Sequence, residues 1–579
     1  MVSPTYRTQP IHTMSNFVVG EGYEVLAARV RDRIATAGPR PLIVIDGFVG
    51  TPWTAFIPHL RVALDDAGMA ACWRSTADCF LPASRIDALL APILTDDPVF
   101  GRIYHGHLEE WWDAGCVEAL RRTALDRAEP TIIYGFGASR VATGDLRVYV
   151  DVPKDKGQEL AAQGAILNVG ADAAPDAFGT MYKRLYFVDW PMLNRIKRAM
   201  LPHLDLFVDL TDVDTPRCAD GQEFRQALHA LARRPFRVKP WFAPGPWGGQ
   251  WMKEQFGLPP EQPNYAWSFE LIAPENGLLL GDGTRALECA FDYLLWQETE
   301  AVLGEAVAAR FGSYFPIRFD YLDTMGGTNL SCQVHPRVDY IRDEFGEPFT
   351  QDETYYIVTC EPGAQVFLGL RDDSDIARFE AAARDARDRA VPFEIADHVN
   401  SLPSAPHDLF LIPSGTVHCS GADNLVLEIS ATPYIYTFKI YDYLRSDLHG
   451  NLRHVHLDHA FANIDATRTA PWVQEHLVPT PIALREGATW GEYCIGDSDK
   501  LFFAIHRLEF ADEINDQTDG KFIALNLVEG ERCEIVTSGQ EPVELRFAES
   551  IVIPASVAVY TLRNTGQALC KVVKAFVKG

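Results

Sequence analysis

Four polar side chains constrain this chain most, because two of them share one face of a strand and can aim at one point inside a barrel. Gln333 and His335 stand two apart in TNLSCQVHP, Glu353 opens the strand-like run ETYYIVT, and His418 follows the Pro413-Ser414-Gly415 turn of IPSGTVH. Residues i and i+2 of a strand face the same side, so Gln333 and His335 aim together. Two imidazoles, a carboxylate and an amide oxygen suit a borderline divalent ion, zinc first, with one position open for water or substrate. Spacing alone leaves the alternative of an exposed strand that carries a Gln-x-His pair.

The blocks around these residues carry more. Leu330-Ser331 precedes Gln333 and His335-Pro336, Glu353 stands before an aromatic strand, and Pro413 to His418 is followed by Leu427-Glu428-Ile429. Upstream lie KPWFAPGPWGGQWMKEQFGLP (Lys239 to Pro259), FELIAPENG (Phe269 to Gly277) and FPIRFDYLD (Phe315 to Asp323); downstream lies YTFKIYDYLRSDLHGNLRHVHLDHAFANI (Tyr436 to Ile464). In this order the blocks resemble class I mannose-6-phosphate isomerases, metal-dependent enzymes of the cupin superfamily. The resemblance implies an aldose–ketose isomerase that interconverts mannose 6-phosphate and fructose 6-phosphate through a cis-enediol. It assigns one divalent metal, zinc first, to Gln333, His335, Glu353 and His418. It places Ser331 at the phosphate end of the pocket, Glu270 as a pocket carboxylate with a catalytic part, and Lys439 at the position of the family's catalytic arginine.

Three departures bear on the substrate. Lys439 replaces an arginine, keeping the charge but losing the planar fork. Gln351 and Asp320 stand where the family carries lysines. Each charge-assisted contact to a phosphate contributes about 1.5–3 kcal/mol. Arg318, two residues before Asp320 and so on the same strand face, is the expected compensation, with Arg337 and Arg371 as further candidates. The losses favour a variant reading, isomerisation of a different or unphosphorylated sugar. From another class come a non-catalytic sugar-binding regulatory protein and, as a third option, an iron cupin oxygenase.

The remainder of the chain reads as other domains, since 579 residues exceed one core. EVLAARVRDRIATAG is a helix ending at Gly38-Pro39, and PLIVIDGFVGTPWTAF is a buried strand, a glycine turn and a helix start. That is the shape of a phosphate loop without its chemistry. Counted from Gly47, Pro52 takes the second glycine position and Trp53 the lysine position, and only Thr54 fits. Asp46 ends the strand as a ligand group or, more simply, as a turn residue. Thr131 to Ser139, Leu146 to Pro153 and Leu204 to Asp212 are further apolar strands between helices, which argues a parallel sheet. The His105-Gly106-His107 triplet is read as a plain loop.

The expected architecture is therefore multidomain. Residues 1–235 form a degenerate P-loop-kinase-like α/β domain. Residues 236–482 form a metal-binding cupin (jelly-roll) isomerase domain, with a helical insert over Ser374 to Ala390. Residues 483–579 form a smaller, metal-free cupin-like barrel, in which Val559 stands where the histidine would be. A net charge of −27 disfavours nucleic acid and anionic membranes as partners and leaves a small sugar or sugar phosphate. Eleven scattered cysteines without a CxxC pair, and no apolar run of membrane length, fit a reduced cytoplasmic protein.

Overall fold

The structure, a computed structural model, describes residues 6–175, 177–433, 435–446 and 452–579. The chain forms two compact units. One comprises Ile11–Leu231 with Pro274–Glu298; the other comprises the described residues to Pro10, Ala232–Ala273 and Thr299–Gly579. The segment Pro274–Glu298, which the sequence places in the isomerase-like region, thus groups with the α/β unit. Within it Gly277–Gly281 and Ala286–Ala290 pair antiparallel, and Ile11–Thr13 adds a parallel third strand. The hairpin is local, but its pairing with Ile11–Thr13 is too distant in sequence for local pattern to reveal.

In the α/β unit the strands β1 (Leu42–Gly47), β2 (Cys72–Ser75), β3 (Thr131–Tyr134), β4 (Leu146–Asp151) and β5 (Leu206–Asp209) run parallel in the order β2-β3-β1-β4-β5. Arg217–Asp220 and Gly20–Glu21 extend the sheet as an antiparallel edge. β1 is buried along its whole length, as its unbroken apolar run requires of a strand covered on both faces. After it, α1 (Trp53–Asp66) buries Phe56, Leu60 and Leu64 at helical spacing. Cys79 and Cys116, 5.3 Å apart at Cα, form a disulfide, while the other nine cysteines are free. The expectation of a fully reduced chain therefore fails at one pair. A separation of 37 residues gives no sign that the two sites meet.

The second unit holds two double-sheet β structures. In the first, one sheet is made of β6 (Trp241–Ala243), β7 (Trp267–Leu271), β8 (Ile317–Asp323), β10 (Glu353–Cys360), β13 (Leu409–Ile412) and β15 (Asn424–Ala431). Their order is β13-β10-β15-β8-β7-β6. Its partner sheet contains β9 (Cys332–Val334), β11 (Gln365–Leu370), β12 (Val399–Pro403), β14 (His418–Ser420) and β16 (Phe438–Tyr441), ordered β12-β11-β14-β9-β16. The insert forms α2 (Ile376–Arg389), capped by Asp375, whose carboxylate accepts from the Ala377 and Arg378 amides.

The C-terminal barrel begins with β17 (Ile482–Glu486), β18 (Trp490–Gly496), β19 (Phe503–Phe510), β20 (Glu513–Gln517) and β21 (Ile523–Glu529). It ends with β22 (Arg532–Val536), β23 (Val543–Arg546), β24 (Ser550–Ile553), β25 (Val559–Asn564) and β26 (Cys570–Val577). Two sheets, β17-β18-β19-β26-β21-β24 and β20-β25-β22-β23, enclose a core that includes Leu508, Leu525, Tyr560 and Val572. Tyr321 of β8 donates to Asn526 of β21 at 2.7 Å, so the two barrels touch, and β8 is buried at all seven positions.

Candidate metal centre

The two sheets of the first barrel bring His335, Glu353 and His418 together, with ligand atoms all within 4.8 Å of one another. No other group of three or more His, Cys, Asp or Glu residues comes so close among the described residues. His335 follows β9 directly, Glu353 opens β10, and His418 opens β14. Glu353 Oε2 lies 2.5 Å from His335 Nε2 and 3.4 Å from His418 Nε2. Gln333 and His418 are cross-strand partners, and the Gln333 amide stands 3.3 Å from His418 Nε2. The amide nitrogen and oxygen are isosteric, and turning the amide over presents the oxygen at the same point. All four side chains are buried.

Each imidazole is oriented from behind. His335 Nδ1 faces the Tyr436 carbonyl at 3.3 Å, and His418 Nδ1 faces the Thr416 carbonyl at 2.9 Å. A carbonyl accepts only, so Nδ1 carries the proton and both Nε2 lone pairs point to the centre. Burial pushes His335 down and keeps it neutral. Glu353 Oε1 is buried without a hydrogen-bond partner among the described residues. Two imidazoles with inward Nε2 atoms and a buried carboxylate with an orphaned oxygen fit a divalent cation.

The turn that delivers His418 is fixed on both sides. Gly415 has φ +86°, a conformation that favours glycine, and its N–H donates to the His335 carbonyl at 2.9 Å. Asp352 accepts from the Ser414 N–H at 2.9 Å. Arg468, from far downstream, donates to the Pro413 and Ser414 carbonyls at 2.6 and 2.7 Å and to the Thr416 hydroxyl.

Lys439 stands in register with Gln333. Gln333 pairs with Lys439 on one side and His418 on the other, so Lys439, Gln333 and His418 form one cross-strand row facing the same way. Burial, then the nearby Arg453 charge, lowers the Lys439 ammonium to about 8, against a smaller opposing pull from Asp442. Ser331 donates to Asp442 at 2.8 Å, and Asp442 is also held by Arg445 at 2.9 Å and Arg453 at 2.8 Å. Arg445 and Arg453 were legible in the YDYLRSDLHGNLR block but not singled out. Residues 447–451 of that block lie outside the described residues.

Other predicted residues lie elsewhere. Glu270 is bound by Tyr6, by Ser268 Oγ at 2.7 Å and by the Ser550 amide at 3.2 Å, where β7 meets the C-terminal barrel. It is not gathered with the trio. Arg318 does not stand free as a phosphate ligand: it pairs with Asp320 at 3.4 Å, with Glu428, and with Ser430 Oγ at 2.6 Å. The strand parity that put Arg318 beside Asp320 also consumes its charge. Arg337 donates to the Ala462 carbonyl, and exposed Arg371 pairs with Asp373. Cys332 and Cys419 flank Gln333 and His418 on the reverse strand face.

In the α/β unit, the Trp53 indole lies against Gly47 so closely that a Cβ there would meet it at 2.7 Å. Asp46 accepts from the Gly47 and Gly137 amides at 2.8 Å and from Ser139, so it is a turn residue with its oxygens satisfied.

Residues 22–233 match a family model described as a domain of unknown function (DUF8485). The chain is 23% identical over 342 residues to the putative mannose-6-phosphate isomerase YvyI of Bacillus subtilis, covering 58% of this chain and 98% of the relative. It is 22% identical to the mannose-6-phosphate isomerase of Streptococcus mutans, covering 54% and 89%. A crystal structure of the mannose 6-phosphate isomerase from Bacillus subtilis aligns at 20% identity and TM-score 0.47, covering 59% of this chain and 99% of that one. A mannose 6-phosphate isomerase bound with zinc and yttrium aligns at 15% identity and TM-score 0.45, covering 60% and 100%. The distant relatives of this chain are thus named as sugar-phosphate isomerases.

Proposed function

We propose that this chain is a metal-dependent aldose–ketose isomerase acting on a small phosphosugar, with mannose 6-phosphate and fructose 6-phosphate as the first pair to test. The observation that carries the reading is the buried His335–Glu353–His418 group, with both Nε2 atoms turned inward. Gln333, His335, Glu353 and His418 would hold the ion, zinc first, which when bound supplies Lewis-acid stabilisation of negative charge at the sugar's O1 and O2.

The chain's own residues set the rest. The Thr416 and Tyr436 carbonyls hold the imidazoles in the ligating tautomer. Lys439, in register with Gln333 and His418, offers a cation beside the reacting carbons, where an enediol develops negative charge. Arg445 and Arg453 exceed Asp442 by one positive charge, and Lys439 adds another, so this end of the site suits an anionic substituent and offsets the lysines missing at Gln351 and Asp320. Glu270 has no catalytic part in this reading. The N-terminal unit is read as a kinase-like α/β domain without phosphate chemistry, because Trp53 replaces the lysine and covers Gly47.

A second reading, isomerisation of an unphosphorylated sugar, is favoured by one observation: Arg318 is committed to Asp320 and Glu428 and cannot serve a phosphate. The test is turnover of mannose 6-phosphate with zinc-loaded protein. Loss of turnover on chelation and return with zinc supports the proposal. Turnover of free mannose alone supports the second reading, and saturable sugar binding without turnover of either sugar points to a binding protein.

A further inference from the structure

The mouth of the C-terminal barrel holds a cavity of about 520 Å³, built from polar groups that the isomerase reading does not use. Glu492, Asp516 and Lys574 are each only 6% exposed. Lys574 Nζ lies 2.7 Å from Asp516 and 3.5 Å from Glu492, and Arg485 reaches the same two carboxylates at 3.0 and 2.5 Å. Tyr560 donates to Asp516 at 2.5 Å, and His506 Nδ1 faces Glu492 at 2.8 Å. Register explains the convergence: His506 and Lys574 are cross-strand partners on β19 and β26, while Asp516 and Tyr560 are partners on β20 and β25 of the facing sheet. Beneath them the barrel is apolar, with Leu508, Leu525 and Val572 buried.

A ring of buried ion pairs is a poor device for stability, since desolvation offsets most of the attraction. It does make a rigid array of donors and acceptors. His506 Nε2 has no partner among the described residues, and each carboxylate offers several lone-pair positions. The charges lining the cavity balance: Arg485, Lys521 and Lys574 against Glu492, Asp516 and Asp519. An anion or a cation would meet an equal and opposite set, whereas a neutral molecule rich in hydroxyls can use both signs. Phe576, stacked edge-on with His506 at 4.9 Å, gives one wall an aromatic surface, and Val559, 61% exposed, stands at the rim.

We infer that the C-terminal barrel binds a neutral polyhydroxylated small molecule, a free monosaccharide or its alditol, at the Glu492–His506–Asp516–Lys574 cluster, independently of the metal centre. The probes are D-mannose, D-fructose and mannitol, with inorganic phosphate as the charged contrast, titrated calorimetrically into the full chain. Val559→Trp should block the rim without touching the ion pairs. The expected result is saturable binding of at least one neutral probe, weakened at least about tenfold in Val559→Trp with the thermal midpoint unchanged. Lys574→Met should abolish the same binding; should that variant fail to fold, Val559→Trp decides alone. Absence of saturable heat with every neutral probe, equal binding by wild type and Val559→Trp, or binding of phosphate in preference to the sugars would each overturn the inference.

Discussion

The two barrels of the second unit share an architecture and differ in what they gather at their centres. In the first, His335, Glu353 and His418 converge, and among the described residues Glu353 Oε1 has no hydrogen-bond donor. In the second, Lys574 and Arg485 already occupy the space between Glu492 and Asp516. A carboxylate whose counter-charge comes from the chain is neutralised in place. One that faces two imidazoles with inward Nε2 atoms keeps a position open for an external cation. The two double-sheet structures thereby differ in one respect, a candidate cation site in one and a self-neutralised polar cluster in the other, and the difference rests on a few side chains.

The comparison breaks most sharply at Glu353. Glu353→Gln should abolish metal retention and lower turnover by at least about a thousandfold, read by metal analysis and a coupled isomerase assay. Lys439→Met should lower turnover by about a hundredfold with metal content unchanged, and Lys439→Arg should restore most of it. Because the Lys439 ammonium is lowered to about 8, it is charged below that pH and neutral above it. Activity that needs the charge should fall as pH rises through about 8, and Lys439→Arg should hold it to higher pH. For stability the sign is opposite. The unfolded lysine keeps its proton to about 10.4, so stability gains between about 8 and 10.4 as pH rises.

Arg468 clamps the turn without touching the centre. Arg468→Met should weaken metal binding about 10–100-fold, with partial rescue by Arg468→Lys, measured by competition with a chelating dye. In the second barrel, Lys574→Met leaves two buried carboxylates poorly paired and should destabilise the unit by about 3–5 kcal/mol in urea unfolding. The smallest effect belongs to Trp53→Lys. Restoring the lysine should give no measurable nucleoside triphosphate hydrolysis, because Pro52 still stands at the second glycine position.

The grouping of His335, Glu353 and His418 was legible chiefly through the resemblance of the ordered blocks around them, with local rules in a supporting part. Strand parity aligned Gln333 with His335, and the Pro-Ser-Gly turn announced His418. Four of the five parallel strands of the α/β unit were legible as apolar runs, whereas β2 is the short, partly exposed CWRS and carries no such run. What was not legible depends on contacts between distant residues. Arg318 was correctly set beside Asp320, but its capture by Glu428 depends on the pairing of β8 with β15. The Glu270 carboxylate looked like a pocket group until Tyr6 and Ser550, from the two ends of the chain, were found to bind it. The Arg468 clamp and the Cys79–Cys116 bond have no spacing signature at all.

The most direct test of the central claim is exchange of the sugar C2 proton, followed by NMR in deuterated water with zinc-loaded protein and mannose 6-phosphate. The account predicts exchange that stops on chelation, returns with zinc and is absent in His335→Ala. Full zinc occupancy with no exchange at C2 would contradict it.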